Sequence, residues 1–437
     1  MSVFTLGARV VVAFAALALA ACASYSPDYH ALNQPSARAH AQPLAVDADI
    51  AELIRYAQRN HPSVKAAEAE LERARAASGS AGAFADPQLN LTQGLNDTDY
   101  LTVGVMQEVP VFGRRAMNIE QARAGERAAE ARLVQVKAEL ASNVVQAFSE
   151  YLYILETQAL QKELIQLLEQ FSTVAGQSYA TGAVAMPDLL RAQNALDEAR
   201  SEHQNLNHML YSQGARLNAA LGRDARTALD GEYSLRQSHS KFARLPAQPD
   251  RLYGLLNEQS PALTVARSEA ETLLVQKDIA DTAGLPRVMV GAEYMAGDMG
   301  SDTVAGMLSM SLPVWRSNYR AQREAADASV RSGLQQLHST ELEVQAELSM
   351  ALYEWQEAER NRQLYGEVLI ARAGQAVASS LTNYQNGNVG FTDVISSQRE
   401  WLSFELAYRR ALANQLAAVA RIHALVPSVA QVEVDHE

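Results

Sequence analysis

The chain has 437 residues, of which 20% are charged, and its formal net charge at pH 7 is −13. An acidic balance without a clustered run of Lys and Arg excludes nucleic acid as a partner, because phosphate binding needs concentrated positive charge. The sequence also contains one cysteine, so neither an intrachain disulfide nor a cysteine metal site can support the fold.

Residues 1–21 predict a lipoprotein signal peptide. An apolar stretch over residues 10–19 is shorter than the roughly 20 residues that a transmembrane helix needs. It ends in Leu-Ala-Ala-Cys at positions 19–22, which resembles the lipobox of bacterial lipoproteins. Cleavage before Cys22 would expose its thiol for lipidation, and Ala23 at the next position favours the outer membrane. The alternative is an ordinary secretory signal with an incidental cysteine.

Motifs recur along the chain at a nearly constant offset. The recurring pairs, at offsets of 199, 203 and 205 residues, are Pro87 with Pro286, Pro110 with Pro313, and Tyr179 with Tyr384. Such a period indicates an internal duplication. We therefore expect a tether over 22–48, a first repeat over 49–222, a linker over 223–250, a second repeat over 251–426 and an acidic tail over 427–437.

Each repeat contains a segment with strand periodicity. In the first repeat, apolar and polar or small residues alternate over 100–109, and residues 87–96 form a weaker partner strand. The same alternation recurs over 288–294 and 304–310. Strands of about ten residues can span a membrane as part of a tilted barrel. Four strands cannot close a barrel, so this interpretation predicts an oligomer, and a trimer is the smallest odd assembly that suffices.

A long helix follows each pair of strands. No proline occurs between Pro110 and Pro187 or between Pro313 and Pro427, and both spans are rich in helix-forming residues. In the first span, apolar residues recur every three or four positions, which predicts a helix from near Arg115 to near Tyr179, roughly 100 Å long.

A glycine-containing turn ends each long helix and leads into a returning helix. The turns cover residues 181–187 and 386–390, and the returning helices are expected to end near Leu221 and Leu425. Asp188 and Asp393 lie near the starts of these helices, where a carboxylate suits the positive end of the helix dipole. The sequence therefore predicts two helical hairpins with acidic tips.

This duplicated order resembles the outer-membrane efflux proteins, which are TolC-like exit ducts of tripartite pumps. The resemblance covers roughly residues 49–426. It is carried by the strand-to-helix junctions and the two tips, namely Pro110, Pro313, Tyr179-x-x-Gly182 with Asp188, and Tyr384-x-x-Gly387 with Asp393.

The resemblance implies a mainly α fold with membrane β-barrel strands. A homotrimer would complete a twelve-strand β-barrel in the outer membrane and an α-helical barrel that extends into the periplasm. Its tip would contact a periplasmic adaptor protein and an inner-membrane RND-type pump. The implied function is a passive exit duct for small solutes, with no cofactor. The lipid anchor and residues 216–222 most resemble the branch that serves heavy-metal pumps.

The resemblance also implies a gate at the tip. Asp393 matches a ring of acidic side chains that narrows the closed duct. Relatives carry a second aspartate and an arginine where this chain has Ser396 and Val389, which predicts fewer polar contacts at the gate. The alternative is that Asp188 and Asp393 have only a structural role as helix-cap residues.

Other candidate chemistry is weak. His203 and His208 do not share a helix face, so we interpret them as solvated residues rather than a metal pair. Methionines cluster in the second hairpin, and we interpret them as barrel packing because alternation is expected to place several on opposite faces; they are Met289, Met295, Met299, Met307 and Met310. No phosphate-binding loop, His-Glu-x-x-His motif or nucleophile elbow is present, so we expect no enzyme and no metal site.

Two other functions remain open at the level of sequence. A lipid-anchored periplasmic coiled-coil protein of structural or adaptor type would share the long helices, with a soluble hairpin as a cap. The other alternative is the same duct serving type I secretion of polypeptides, since nothing in the sequence separates polypeptide export from small-solute export. Strands of membrane-spanning length favour the duct over the coiled-coil protein.

Overall fold

The structure is a computed structural model that describes residues 49–93, 100–182, 185–229, 231, 233–243, 245, 250–297, 302–386 and 388–427. The predicted signal peptide and the tether lie outside the described residues, as does the tail beyond residue 427. Cys22, Gly387 and Met299 also lie outside them.

The first repeat contains four helices and two strands. In chain order they are α1 (Ile50–Asn60), α2 (Pro62–Ser80), β1 (Gln88–Gln93), β2 (Tyr100–Val109), α3 (Arg114–Ala180) and α4 (Met186–Ala220). A short helix, α5 (Leu235–Phe242), follows in the segment between the repeats.

The second repeat has the same order of elements with one additional break. Its elements are α6 (Asp250–Gln259), α7 (Pro261–Thr282), β3 (Val288–Gly297), β4 (Thr303–Met310), α8 (Arg316–Gln363), a π-helical turn (Leu364–Leu369), α9 (Ile370–Gln385) and α10 (Phe391–Leu425). The fold is thus mainly α with a small antiparallel sheet, as the sequence predicted.

Local sequence explains where the first helices begin. The Asp49 carboxylate accepts a hydrogen bond of 2.8 Å from the Glu52 backbone N–H and so caps α1. His61 then accepts a hydrogen bond from the Ser63 N–H at 3.2 Å, and Pro62 occupies the first helical position of α2. The chain therefore turns between the two helices without leaving these end groups unpaired.

The first long helix matches the prediction closely. α3 has 67 residues in one continuous helix, which corresponds to roughly 100 Å. In the second repeat the equivalent helix is interrupted by the π-helical turn, where the sequence suggested an unbroken span. Gly366 lies in this turn, and a Cβ atom there would lie 2.6 Å from Tyr408 Cε2. The wider turn thus coincides with a close approach between the helix backbone and α10.

The four strands form one antiparallel sheet in the order β1-β2-β3-β4. The central pairing of β2 with β3 joins the two repeats, with Val105 opposite Ala292. β1 is shorter than the predicted 87–96, since its pairing with β2 extends only from Gln88 to Gln93. Each repeat therefore supplies one hairpin to a shared sheet.

The helices pack around apolar clusters spread along their length. The largest cluster lies among α1, α3, α4 and α10, and its most buried members include Phe148, Leu152, Leu217 and Leu416. A second cluster joins α6, α7, α8 and α10 through Leu256, Leu263, Leu348 and Ile422. In the described part of the chain, no helix combines the length and apolarity needed to cross a bilayer.

Candidate functional site

The sheet has one apolar face. Strand register places on this face Leu89, Leu91, Leu101, Val103, Val105, Val290, Tyr294, Val304, Leu308 and Met310. These side chains are turned away from the rest of the chain, since Val304 is 74% exposed and Leu308 is 76% exposed. A contiguous exposed apolar surface of this kind indicates contact with lipid or with another protein.

The opposite face is polar or carries small residues and methionines. Its members include Asn90, Thr92, Thr102, Gly104, Glu293, Thr303, Ala305 and Ser309. Side chains in the middle of this face shield one another, as Thr102 is 7% exposed and Met106 is 9% exposed, whereas Asn90 on β1 and Ser309 on β4 are exposed. Crowding on one face and exposure on the other are typical of a sheet that curves around its polar side.

Most of the described methionines of the sheet share one face, which is less even than the sequence interpretation expected. Met289, Met295 and Met307 share the polar face with Met106, and among the described methionines of the second hairpin only Met310 lies on the apolar face. Among the described methionines of this hairpin, the expectation of opposite faces therefore holds for Met310 alone, because the pairing of β3 with β4 sets Met307 opposite Gly291, on the face of Met289 and Met295.

Two of these methionines pack over glycines. A Cβ atom at Gly104 would lie 3.0 Å from Met307 Cε, and one at Gly291 would lie 3.0 Å from Met106 Cγ. Their flexible side chains thus fill the space that the glycines leave on the polar face. Among the described residues, no group of three or more His, Cys, Asp and Glu side chains could hold a metal ion.

His203 is a second correction to the sequence interpretation. It is half-buried rather than solvated, and its buried Nδ1 atom has no hydrogen-bond partner within the described ranges. The side chain lines a cavity of about 460 Å³ together with Glu156 and Lys162. His208 is exposed, as expected.

The two prolines lie between strand and helix. Pro110 follows the last residue of β2 and precedes α3, and Pro313 lies in the segment between β4 and α8. In the first junction, Phe112 and Gly113 have φ angles of 57° and 76°, so two successive left-handed residues turn the chain into the helix. Trp315 at the second junction is 74% exposed.

At the second tip, Asp393 belongs to a helix cap. Its carboxylate accepts a hydrogen bond of 3.1 Å from the Gly390 N–H, and its own N–H donates to the Gly390 carbonyl at 3.1 Å. Within one chain, Asp393 therefore caps the N-terminus of α10 by pairing with the backbone N–H of Gly390. Phe391 packs edge-on against Tyr384 and Phe171, with ring centroids 6.2 and 5.9 Å apart.

At the first tip, Asp188 makes an ion pair instead of a cap. Arg191 Nη1 lies 3.1 Å from its Oδ1, and the same nitrogen donates to Thr392 Oγ1 at 3.2 Å. Arg191 therefore connects the first tip to the second. Burial, and to a smaller extent the charge of Asp188, raise the pKa of the Tyr384 hydroxyl above its usual value.

The remaining tip motif residues lie on the first turn. Gly182 adopts a φ of 75°, a conformation that glycine reaches without steric cost. Tyr179 lies just before it at the end of α3 and is 44% exposed. The turn thus reverses the chain and leaves an aromatic side chain accessible at its base.

Sequence reasoning missed the polar contacts between the returning helices. Arg399 on α10 donates to Glu198 on α4 at 2.7 Å, and Arg191 reaches Thr392 from the same pair of helices. Both contacts join residues 201 positions apart, whereas the repeats are offset by 205 residues. The two returning helices are therefore displaced along their axes by about one turn from equivalent positions. The sequence signal for this displacement was a pair of opposite charges, Glu198 and Arg399, whose spacing differs from the repeat offset by one turn.

One protein family and several solved structures resemble most of this chain. The model of the family described as outer membrane efflux protein matches residues 53–223 and 252–426. No curated protein matches. The protein is similar to the solved structure of the outer membrane protein VceC from Vibrio cholerae, with 19% identity and a TM-score of 0.70 over 86% of this chain and 95% of VceC.

Two other solved structures share the fold. CusC, described in terms of folding and transmembrane channel formation, is 18% identical with a TM-score of 0.74, over 87% of this chain and 93% of CusC. The MtrE outer membrane channel of Neisseria gonorrhoeae is 16% identical with a TM-score of 0.71, over 86% of this chain and 88% of MtrE.

Proposed function

We propose that this chain, which belongs to the outer membrane efflux protein family, is the passive exit duct of a tripartite RND-type efflux system. Three copies form one channel that spans the outer membrane and extends through the periplasm. The channel exports small solutes and performs no catalysis. Heavy-metal cations are one candidate class of cargo, suggested by the resemblance of residues 216–222 to the branch that serves heavy-metal pumps.

The two-faced sheet is the observation that carries this proposal. Its apolar face is exposed on all four strands, while its polar face is crowded along β2, which suits lipid outside and water inside. Unpaired strand edges cost several kcal/mol per exposed backbone group in lipid, so a sheet of four strands must find partners. Three such sheets supply twelve strands, enough for a closed barrel.

The helical body supports the periplasmic part of the duct. α3 alone extends roughly 100 Å, and α4 and α10 return alongside the long helices with 35 residues each. Helices of this length reach far beyond the sheet that would lie in the membrane. The tips then meet a periplasmic adaptor protein and, with it, an inner-membrane pump.

The tip is the proposed gate. Asp188 and Asp393 place two carboxylates per chain near the helical turns, and threefold symmetry would bring three copies of Asp393 together. Rings of carboxylates attract cations and repel one another, so they would bias passage through the narrow end. The intrachain cap on Asp393 orients its carboxylate, and the two roles are compatible.

The N-terminal segment is proposed to anchor the duct. Removal of residues 1–21 would leave Cys22 for lipidation, and residues 22–48 would connect the lipid to the folded repeats. The protein would then be attached to the outer membrane both by its barrel and by its lipid. Mass spectrometry of the mature N-terminal peptide would detect the added acyl chains.

Cysteine labelling in lipid vesicles tests the barrel. Leu308→Cys lies on the apolar face and Ser309→Cys on the polar face of the same strand. With a membrane-impermeant maleimide, we expect Ser309→Cys to react and Leu308→Cys to be protected. Equal reaction at both positions would contradict a membrane barrel and favour the coiled-coil alternative with a soluble hairpin. Single-channel recording of the same vesicles measures whether a pore is present.

A further inference from the structure

A cavity of about 800 Å³ lies where the sheet meets the helical body. Residues from both repeats line it, at the ends of α2 and α7 and at the starts of α3 and α8. Its charged lining residues are Glu108, Arg114, Arg115 and Arg287. Three guanidinium groups therefore face one carboxylate in a chain whose overall charge is −13.

The cavity belongs to the polar side of the sheet. Glu108 lies on the polar face of β2, opposite Met289. The ladder between β3 and β4 continues for one further pair, because the Ser311 N–H donates to the Arg287 carbonyl at 2.9 Å and the Arg287 N–H donates to Ser311 Oγ at 2.8 Å. By alternation, Arg287 and Ser311 follow Met289 and Ser309 on the polar face.

Backbone carbonyls hold two of the guanidinium groups in place. Arg114 Nη2 donates to the Leu285 carbonyl at 2.8 Å, and its buried Nε has no hydrogen-bond partner in the described part of the chain. Arg115 Nε donates to the Gly82 carbonyl at 2.8 Å, and its guanidinium lies 5.2 Å from the ring centroid of Phe84. The exposed Arg287 side chain has no hydrogen bond to the described residues.

These arginines differ from others near this end of the helices. Arg127 lies 3.0 Å from Glu120, and Arg323 lies 3.8 Å from Asp281. Within the described part of the chain, Arg114, Arg115 and Arg287 have no carboxylate within 4.0 Å. α3 and α8 also begin at this level, so the positive ends of two long helices add to the same field.

We propose that this cavity is a binding station for multivalent anions inside the duct, where it holds the phosphate or carboxylate groups of solutes in transit. Guanidinium groups suit such groups because their donors match two oxygens at once. The station rests on the proposed function, since only a pore lined by the polar face would bring solutes to it. The station would carry positive charge, whereas the tip carries the negative charge of its aspartates.

Conductance in phosphatidylcholine bilayers tests the station, with the full-length protein and inorganic pyrophosphate as the probe. Arg287→Gln removes one charge without breaking a side-chain hydrogen bond or ion pair among the described residues. We expect the half-blocking concentration of pyrophosphate to rise about tenfold, the effect of one charge-assisted contact. Arg287→Lys keeps the charge and should recover part of the block. Arg320→Gln, an exposed arginine of α8 outside the cavity lining, should leave the block unchanged.

The outcomes separate this station from the duct itself. A pore that pyrophosphate blocks equally in the parent protein and in Arg287→Gln would overturn the station and leave the duct intact. Absence of any pore would contradict the duct. A second set of bilayers contains phosphatidylglycerol: block that persists supports a soluble anion, whereas block that disappears assigns the cavity to a lipid headgroup and overturns the proposal.

Discussion

The returning helices α4 and α10 have the same length and equivalent ends, but their side chains make different contacts. Each has 35 residues, and both their first and their last residues are 205 positions apart. At equivalent positions, Asp188 forms an ion pair where Asp393 forms a cap. Duplication has therefore kept the backbone of the repeat, while the polar contacts that fasten it have diverged.

The difference is largest near the C-terminal ends of these helices. Asn218 is 1% exposed and donates a hydrogen bond of 2.7 Å to the Thr227 carbonyl. His423 occupies the equivalent position of α10, and neither of its buried ring nitrogens has a hydrogen-bond partner among the described residues. Its ring packs edge-on against Phe242 at 5.3 Å between centroids. The Asn218 Nδ2 is thus paired while its buried Oδ1 has no partner among the described residues, whereas neither ring nitrogen of His423 is paired.

The largest expected effect comes from this unpaired histidine. Burial lowers the pKa of His423 from 6.5 to about 4. Between these values the unfolded chain binds a proton that the folded chain does not, so stability falls as the pH drops from 6.5 to about 4. The full loss is about 3 kcal/mol.

Thermal unfolding of the detergent-extracted protein at pH 7 and pH 4 measures this loss. His423→Asn introduces the residue of the equivalent α4 position and should reduce the pH dependence by the contribution of the histidine. Other titrating groups affect both proteins alike. If parent and variant lose the same stability between the two pH values, His423 is not a buried neutral histidine in the folded protein.

The glycine after α4 gives the next effect. Gly222 has a φ of 73°, and a Cβ atom there would lie 2.9 Å from His61 Cα. Gly222→Ala should cost about 2 kcal/mol or more, because left-handed strain adds to the overlap. Gly182→Ala is the matched control, since its φ is 75° with no atom within 4 Å, and it should cost about 1 kcal/mol. Chemical denaturation would show equal losses if the contact with His61 were absent.

The tip carboxylates give a smaller difference. Asp393→Ala removes the hydrogen bond to the Gly390 N–H and should cost about 1 kcal/mol, whereas Asp188→Ala removes an exposed ion pair and should cost about 0.3 kcal/mol. In reconstituted channels, Asp393→Ala should also increase ion leak and weaken block by multivalent cations. Conductance and block that do not change would remove Asp393 from the proposed gate.

The contact between the tips is expected to have the smallest effect. Arg191 is exposed, so its hydrogen bond to Thr392 should couple the two tips by about 0.5 kcal/mol and weaken as salt is added. A double-mutant cycle of Arg191→Ala and Thr392→Val measures this coupling. A coupling of zero at low salt would mean that the tips are held by the aromatic contacts around Phe391 alone.

Sequence periodicity was sufficient to predict the long helices and the strands and their order along the chain. The proline-free span and the apolar stripe placed the ends of α3 within one residue of those observed. This succeeded because the spacing of apolar residues along the chain directly indicates an amphipathic helix. The π-helical turn at Gly366 was missed, since it depends on how closely Tyr408 approaches from another helix. The Arg191 bridge was missed for a similar reason, because the axial displacement of α4 against α10 is not encoded in either helix alone.

The parity of the second hairpin shows the same limit. Alternation assigns faces within one strand, but the register of β3 against β4 decides which faces coincide. Met289 and Met307 therefore share a face that each strand alone left undetermined. At the tips, the spacing of the motifs was enough to locate Asp188 and Asp393. Their hydrogen-bond and ion-pair partners depend on how the helices pack, so the sequence did not predict them.

The mass and symmetry of detergent-extracted particles test the central claim most directly. Light scattering combined with electron microscopy should show three chains arranged with threefold symmetry around a pore. A single chain that stays in solution after the detergent is removed would contradict the account, because four strands with an exposed apolar face would then need neither lipid nor sister chains.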